Sequence, residues 1–153
     1  MCRIPSPRLA RLVGRWLEEP SAAPEDVSAV SAVVCLYREW QIAGRELERL
    51  SRALTRRRPD SGLRSIEQAC TSIRIASGLV EMVEREHAAG RVDRLRTDLL
   101  AEVRPWLAAA RHELPAAATH LCTLVADAAG RDRVTAALRL LDEEHAAWPW
   151  RTR

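Results

Sequence analysis

The sequence predicts an all-α protein, an elongated up-and-down bundle of about five helices. Apolar residues recur at steps of three and four along most of the chain, and no segment alternates between apolar and polar residues as a half-buried strand does. Of the 153 residues, 47% are hydrophobic, which is enough for one core. We therefore expect a single domain over residues 1–153, with a short N-terminal segment, residues 1–5, and a Trp-Pro-Trp tail, residues 148–153.

The first predicted helix covers residues 7–19. Ser6 is a favourable N-cap residue, and Pro7 suits the first helical position because its missing N–H would have no partner there. One apolar stripe follows the spacing of a helix face and consists of Leu9, Leu12, Val13, Trp16 and Leu17. The pattern predicts a helix that buries one face, and Pro20 and Pro24 separate it from the next helix.

The second predicted helix is long, from about residue 24 to residue 57. It carries an unbroken heptad seam made of Val33, Leu36, Trp40, Ala43, Leu47, Leu50 and Leu54. A helix of this length spans about 50 Å, which is typical of a rod-like bundle or of a coiled coil with a partner. Pro59 and Gly62 indicate where it has ended.

The rest of the chain divides into three further helical segments. The first covers about residues 63–89. The second covers about residues 91–114, and Pro105 within it predicts a kink or a break. The third covers about residues 115–147, with Gly130 as a point where it could divide in two.

The charge balance does not select a partner. Twenty-four basic residues, all of them arginine, stand against 21 acidic ones, and the net charge of +3 requires neither a nucleic acid nor a membrane. Lysine, asparagine and phenylalanine are absent. Their codons are rich in A and T, so their absence indicates a GC-rich bacterial genome rather than a functional choice.

Neither a signal peptide nor a membrane helix is predicted. No apolar run follows the arginines of residues 1–12, and the most apolar stretch, residues 29–37, is much shorter than the about 20 residues that span a bilayer. We therefore expect a cytoplasmic protein without a membrane partner. In a reducing compartment, Cys35, Cys70 and Cys122 are expected to act as small buried hydrophobes.

Two carboxylate–histidine pairs form the first candidate site. Glu84 with His87 and Asp142 with His145 each lie at i and i+3, and therefore on one helix face. In an up-and-down bundle both pairs lie at the same end, where they could hold one metal ion. The four residues resemble the ligand set of the ferritin-like di-iron carboxylate bundles, although one motif has Asp for Glu, and the resemblance implies a metal-binding or di-iron bundle. Alternatively, the histidines stabilise helix C-termini.

An arginine face on the long helix is the second candidate site. Its members are Arg38, Arg45, Arg49, Arg52 and Arg56, and Arg57 and Arg58 extend it into the following turn. Guanidinium groups bind phosphate through two parallel hydrogen bonds, so this face could follow a nucleic-acid backbone. Such a chain would resemble, in size and helical content, the small helical subunits of CRISPR effector complexes. Alternatively, Glu46 and Glu48 neutralise part of a solvated face.

The tryptophans supply the third candidate, a surface for a partner. Trp148 and Trp150 follow the last predicted helix, and tryptophan is the residue most enriched at binding hot spots. The tail could therefore dock into another subunit, or it could cap its own bundle. Trp16, Trp40 and Trp106 lie on apolar stripes and are expected in the core.

The sequence leaves three functions open. Neither a glycine-rich phosphate loop nor a Gly-x-Ser-x-Gly motif is present, so we predict no catalytic residues and no cofactor. The leading hypothesis is a non-catalytic protein-interaction module, or small subunit of a larger assembly, with a protein partner or as a homo-oligomer. The alternatives are a subunit that binds a nucleic-acid backbone through the arginine face and a metal-binding or di-iron bundle.

Overall fold

Four α-helices form the part of the chain that the structure, a computed structural model, describes: residues 32–90 and 94–142. They are α1, Ala32–Thr55; α2, Pro59–Ala88; α3, Arg94–Leu124; and α4, Ala128–Asp142. No strand occurs within the described ranges, so the all-α class is confirmed. None of the four helices is long and apolar enough to cross a membrane. The predicted helix over residues 7–19 lies outside the described residues and stays a prediction.

Consecutive helices run in opposite directions. Residues 56–58 connect α1 to α2 in a tight turn, so these two helices form a hairpin. Arg104 of α3 pairs with Glu84 of α2, whereas Arg111, further along α3, contacts Ser77, further back along α2. A later residue of α3 thus contacts an earlier residue of α2, so these two helices are antiparallel.

The last helix, α4, runs parallel to α2. Near its start, Arg133 donates two hydrogen bonds to Glu67 of α2, at 2.6 and 3.0 Å. Near its end, the Arg111 side chain joins the Leu141 carbonyl to the Ser77 hydroxyl, at 2.9 and 2.8 Å. Among the described helices, α2 and α3 each pack against both α1 and α4, while no extensive contact joins α1 to α4. The predicted up-and-down arrangement therefore holds for these four helices.

The core is organised around α2. Thirteen of its 30 residues are buried, and six of the thirteen are glycine, alanine or serine, which lets the neighbouring helices approach closely. At Gly62 a Cβ would lie 2.7 Å from Cδ1 of Leu121 and 3.8 Å from Cβ of Ala53. The start of α2 is therefore in contact with the ends of both α1 and α3.

Two tryptophans connect α1 to α3. The rings of Trp40 and Trp106 are 2% and 6% exposed, with centroids 6.2 Å apart and planes at 63°, an edge-to-face pair. Both were predicted to be in the core, and both are. Within the described part of the chain, neither indole N–H has a hydrogen-bond partner. Trp16 lies outside it.

The predicted helix ends around Pro115 and Gly130 are wrong. We expected a kink or break at Pro105 and a helix end before Pro115, but α3 continues through both prolines, so the chain neither breaks at Pro105 nor ends a helix before Pro115. Both prolines are exposed, so each ring points toward solvent while the buried residues between them hold the helix together. The chain breaks at residues 125–127 rather than at Gly130, which lies inside α4.

The bounds of the long heptad helix and of the helix that follows it also differ from the prediction. The described part of the long helix, α1, ends at Thr55 rather than at residue 57, and residues 24–31 lie outside the described chain. The next helix begins at Pro59 instead of residue 63, because a proline at the first helical position loses no hydrogen bond.

Asp127 and Gly130 define the start of α4. The Asp127 carboxylate accepts a hydrogen bond from the Gly130 N–H, at 2.7 Å, which is the geometry of a helix N-cap. A Cβ on Gly130 would clash with Cγ1 of Val125 and lie 2.8 Å from the capping oxygen of Asp127. The close turn between α3 and α4 therefore requires glycine at this position.

We predict opposite effects for two glycine-to-alanine substitutions. Gly130→Ala should lower the free energy of unfolding by about 1–3 kcal/mol, because Val125 and the cap must move. Gly44→Ala should raise it by up to about 1 kcal/mol, because the nearest atom, on Trp106, would lie 3.9 Å from the new Cβ and alanine favours the helix. Urea denaturation of both variants checks this, and a stabilised Gly130→Ala would contradict it.

Candidate nucleic-acid interface

The turn between α1 and α2 is the feature that brings arginines of both helices together. Arg57 has a positive φ of 52°, the left-handed conformation that closes many helices. Its N–H bonds to the Leu54 carbonyl at 3.2 Å, and the Arg58 N–H bonds to the Ala53 carbonyl at 2.8 Å, which is a Schellman motif. The chain therefore reverses within three residues, and the end of α1 faces the start of α2.

A polar groove of about 800 Å³ lies between these two helix segments, and we call it the arginine groove. Its lining is rich in guanidinium, hydroxyl and amide groups, from Glu46, Arg49, Arg52, Ala53, Arg56, Arg58, Ser61, Arg64, Ser65, Glu67, Gln68 and Thr71. Five of these residues are arginine and two are glutamate. The groove therefore concentrates positive charge that the overall charge of +3 does not reveal.

The two glutamates of the groove are already paired. Arg49 donates to Glu46 within α1, and Glu67 accepts both hydrogen bonds from Arg133 of α4. The hydrogen bond and the charge of Glu67 raise the pKa of the exposed Arg133. Because the charge of Glu67 is neutralised from outside the groove, it offsets little of the positive charge inside it.

The predicted arginine face only partly coincides with this groove. All seven of its arginines are exposed, but only Arg49, Arg52, Arg56 and Arg58 line the groove. Arg38, Arg45 and Arg57 do not line it. The seven residues therefore do not form one continuous site.

Arg64, on the opposite wall, was not among the predicted residues. It belongs to α2, which we expected to begin only near residue 63. Arg64 lines the groove because the hairpin places the start of α2 beside the end of α1. A sequence signal did exist, because the proline at position 59 marks a helix start only a few residues after the arginine run.

The local ion pairs of α1 do not remove the charge of the groove. Glu48 lies 3.7 Å from Arg52, with both side chains about half exposed or more. An exposed pair of this kind contributes about 0–1 kcal/mol, so Arg52 can rotate toward a stronger anion such as phosphate. Arg49 is 62% exposed, but its partner Glu46 is only 12% exposed, so this pair is partly sheltered from solvent.

Glu84, His87 and Asp142 are the predicted metal ligands that the structure describes, and they do not gather into a three-ligand metal site. Glu84 accepts a hydrogen bond from Arg104 at 2.8 Å, His87 is half-buried, and Asp142 is exposed at the end of α4. Within residues 32–90 and 94–142, no three His, Cys, Asp or Glu side chains come close enough to hold a metal ion. His145 lies outside these ranges, so the four-residue site stays a prediction.

Most residues of the heptad seam, which suggested a partner, are buried against other helices of the same bundle. Val33, Leu36, Trp40, Ala43 and Leu50 are at most 2% exposed. Only its last part remains open: Leu47 and Leu54 are partly buried and line a second groove, of about 560 Å³, against α3. Trp148 and Trp150 lie outside the described chain, so their partner-binding role stays a prediction.

Cys70 can be excluded as a nucleophile. It is fully buried, and burial raises the pKa of its thiol to about 12. A thiol with this pKa is almost entirely protonated at neutral pH, and the thiolate is the reactive form. Cys70 is therefore a core residue, as predicted, whereas Cys35 and Cys122 are only half-buried.

Comparison of the chain with models of known protein families found no match, and searches of the curated proteins and of the solved structures found no significant similarity. The functional argument therefore rests on the geometry of this chain.

We predict that Arg57→Gly stabilises the protein. Glycine adopts the left-handed conformation without the steric cost that a Cβ imposes, so the free energy of unfolding should rise by about 0.5–1 kcal/mol. Arg56→Gly is the matched control: it removes the same charge from a residue with a negative φ and should not stabilise. Thermal denaturation measures both, and equal effects would contradict the prediction.

We also predict that the cysteines differ in reactivity. With iodoacetamide at pH 8, Cys35 and Cys122 should be alkylated first, and Cys70 only as fast as the protein unfolds. Peptide mass mapping over time measures each site. In denaturant all three should react at similar rates, and fast labelling of Cys70 in the folded protein would show that the core around it opens.

Proposed function

We propose that this chain is a small non-catalytic subunit that binds the phosphate backbone of a nucleic acid in the arginine groove, as part of a larger assembly. The observation that carries the proposal is the convergence of five guanidinium groups from two helices on one groove. These five arginines share one concave surface, on which they outnumber the two glutamates of the lining.

The chemistry of the groove suits phosphate. Guanidinium groups form paired hydrogen bonds to phosphate oxygens, and the hydroxyl and amide side chains of Ser61, Gln68 and Thr71 can donate further hydrogen bonds. On α1, Arg49, Arg52 and Arg56 extend over about 10 Å of helix axis. That length corresponds to about three phosphates at 3.4 Å per nucleotide of one duplex strand.

The same lining argues for recognition of the backbone rather than of the bases. None of the described residues that line the groove is aromatic, so it offers no platform on which bases could stack. No motif known to read base edges was found in the sequence either. The proposal therefore predicts binding with little sequence preference and strong dependence on salt.

The binding test uses labelled single- and double-stranded DNA and RNA, titrated with the full chain at several salt concentrations. The triple variant Arg49→Gln, Arg52→Gln, Arg56→Gln should weaken binding by about tenfold or more and reduce the slope of log K against log salt by about 2–3, because three phosphate contacts are lost.

The matched control is Arg38→Gln, Arg45→Gln, Arg139→Gln, which removes the same charge from exposed positions outside the groove. It should retain most of the affinity. If both triple variants weaken binding equally, net charge rather than the groove is responsible. If the unmodified protein binds none of the four nucleic acids at low salt, the proposal is wrong.

A further inference from the structure

We infer that the open groove between α1 and α3 is the docking site of this chain's own residues 7–19, which complete the bundle as a fifth helix. The inference does not depend on nucleic-acid binding. It rests on a different groove, on the reach of the chain and on matching charges.

The groove, called here the apolar groove, is shaped like a helix-binding surface. Two helices that run in the same direction supply its apolar lining: Leu47, Leu50 and Leu54 of α1 and Leu114 and Ala117 of α3. The rest of the lining is polar, from Glu48, Ser51, Arg52 and Glu113. Leu50 and Leu114 form a buried floor, at 2% and 1% exposure, while the other three apolar residues are partly buried. An amphipathic helix laid along such a groove buries its apolar stripe against both walls.

The groove begins just beyond the contact between α1 and Trp106. At Gly44 an added Cβ would lie 3.9 Å from the Trp106 ring, which fills the space between the two helices. One turn further along α1 the groove begins, at Leu47. Among the described residues, neither α2 nor α4 contributes to the lining of this groove.

Residues 7–19 carry the complementary surface. Their predicted apolar stripe, which includes Trp16, consists of five large side chains. Burying each large side chain contributes about 1.5–3 kcal/mol, whereas a helix this short is unstable alone in water. A single apolar face of this kind requires a packing surface, and the apolar groove is an open one on the same chain.

The connecting chain is long enough. Residues 20–31 are twelve residues and reach about 40 Å when extended. Along α1, the distance from Ala32 to Leu47 is about 22 Å, and to Leu54 about 33 Å. The segment can therefore lie beside the groove in either direction.

Charge at the groove edges favours this occupant. Glu48 of α1 and Glu113 of α3, one on each wall, are exposed and outnumber Arg52, which pairs with Glu48 and lines the same groove. The segment carries Arg8, Arg11 and Arg15 along one edge of its predicted helix. Opposite charges at the edges orient the helix, while the apolar stripe supplies most of the binding energy.

A segment of the same chain also has an advantage over a second copy. A short linker holds its ends at an effective concentration in the millimolar range, whereas another molecule in a dilute solution is present at micromolar concentration. The groove is therefore occupied within the chain before a second copy binds.

The test is photo-crosslinking of the full chain with benzoylphenylalanine in place of Ala117, a partly buried residue of the groove. The expected product is a crosslink within one chain to residues 7–19, identified by peptide mass mapping. The matched control places the same group at Ala108, an exposed position nine residues earlier and so on the opposite face of α3. It should give no such crosslink.

A second variant separates docking from general misfolding. Trp16→Glu, in a chain whose circular dichroism remains helical, should reduce the crosslink from position 117 by about tenfold or more, because a carboxylate cannot enter an apolar groove cheaply. Arg15→Gln should leave most of it. A crosslink between two chains would assign the groove to a second copy, and a helical protein with no crosslink to residues 7–19 would overturn the inference.

Discussion

Burial of α2 on three sides is the constraint on which the rest of the structure depends. This helix contacts α1, α3 and α4, and its small buried residues let all three approach. Ala69 and Ala76 are fully buried, and a larger side chain there would separate neighbours that interdigitate closely. Because α2 sets the spacing, it also determines how far the end of α1 lies from the start of α2, and so the width of the arginine groove.

Around this packed centre, polar contacts fix the position of each helix along the axis of its neighbours. Arg111 is the main example, because one guanidinium joins α3 to the Ser77 hydroxyl of α2 and to the Leu141 carbonyl near the end of α4. Arg96, only 1% exposed, bonds to Glu86 at 2.9 Å and connects α3 to the end of α2. Apolar packing tolerates small shifts, whereas these bonds have defined geometry and select one alignment.

The interior of each helix could be predicted from the sequence better than its ends. The heptad seam correctly placed Val33, Leu36 and Trp40 in the core, because periodicity reports directly which face is buried. The predicted helix end before Pro115 was wrong because the local preference of proline was overruled by packing that periodicity does not measure.

The candidate site was predicted only in part, for a related reason. Arg49, Arg52 and Arg56 share a face of α1 and could be found by their spacing within one helix. Arg64 and Ser65 face them from α2, and that relation depends on how the hairpin closes. Arg57 closes the hairpin in the left-handed backbone conformation, and the residue type arginine does not predict that conformation.

The two prolines within α3 have a consequence for how the apolar groove arises. Each removes one backbone hydrogen bond and disfavours an isolated helix by about 3 kcal/mol, and Pro115 lies between Leu114 and Ala117, two residues of that groove. The α3 wall of the groove is therefore helical because packing against the neighbouring helices stabilises it, and not because its own residues favour a helix. The surface is a product of tertiary assembly: a fragment that contained α3 alone would keep Leu114 and Ala117 but would have no groove.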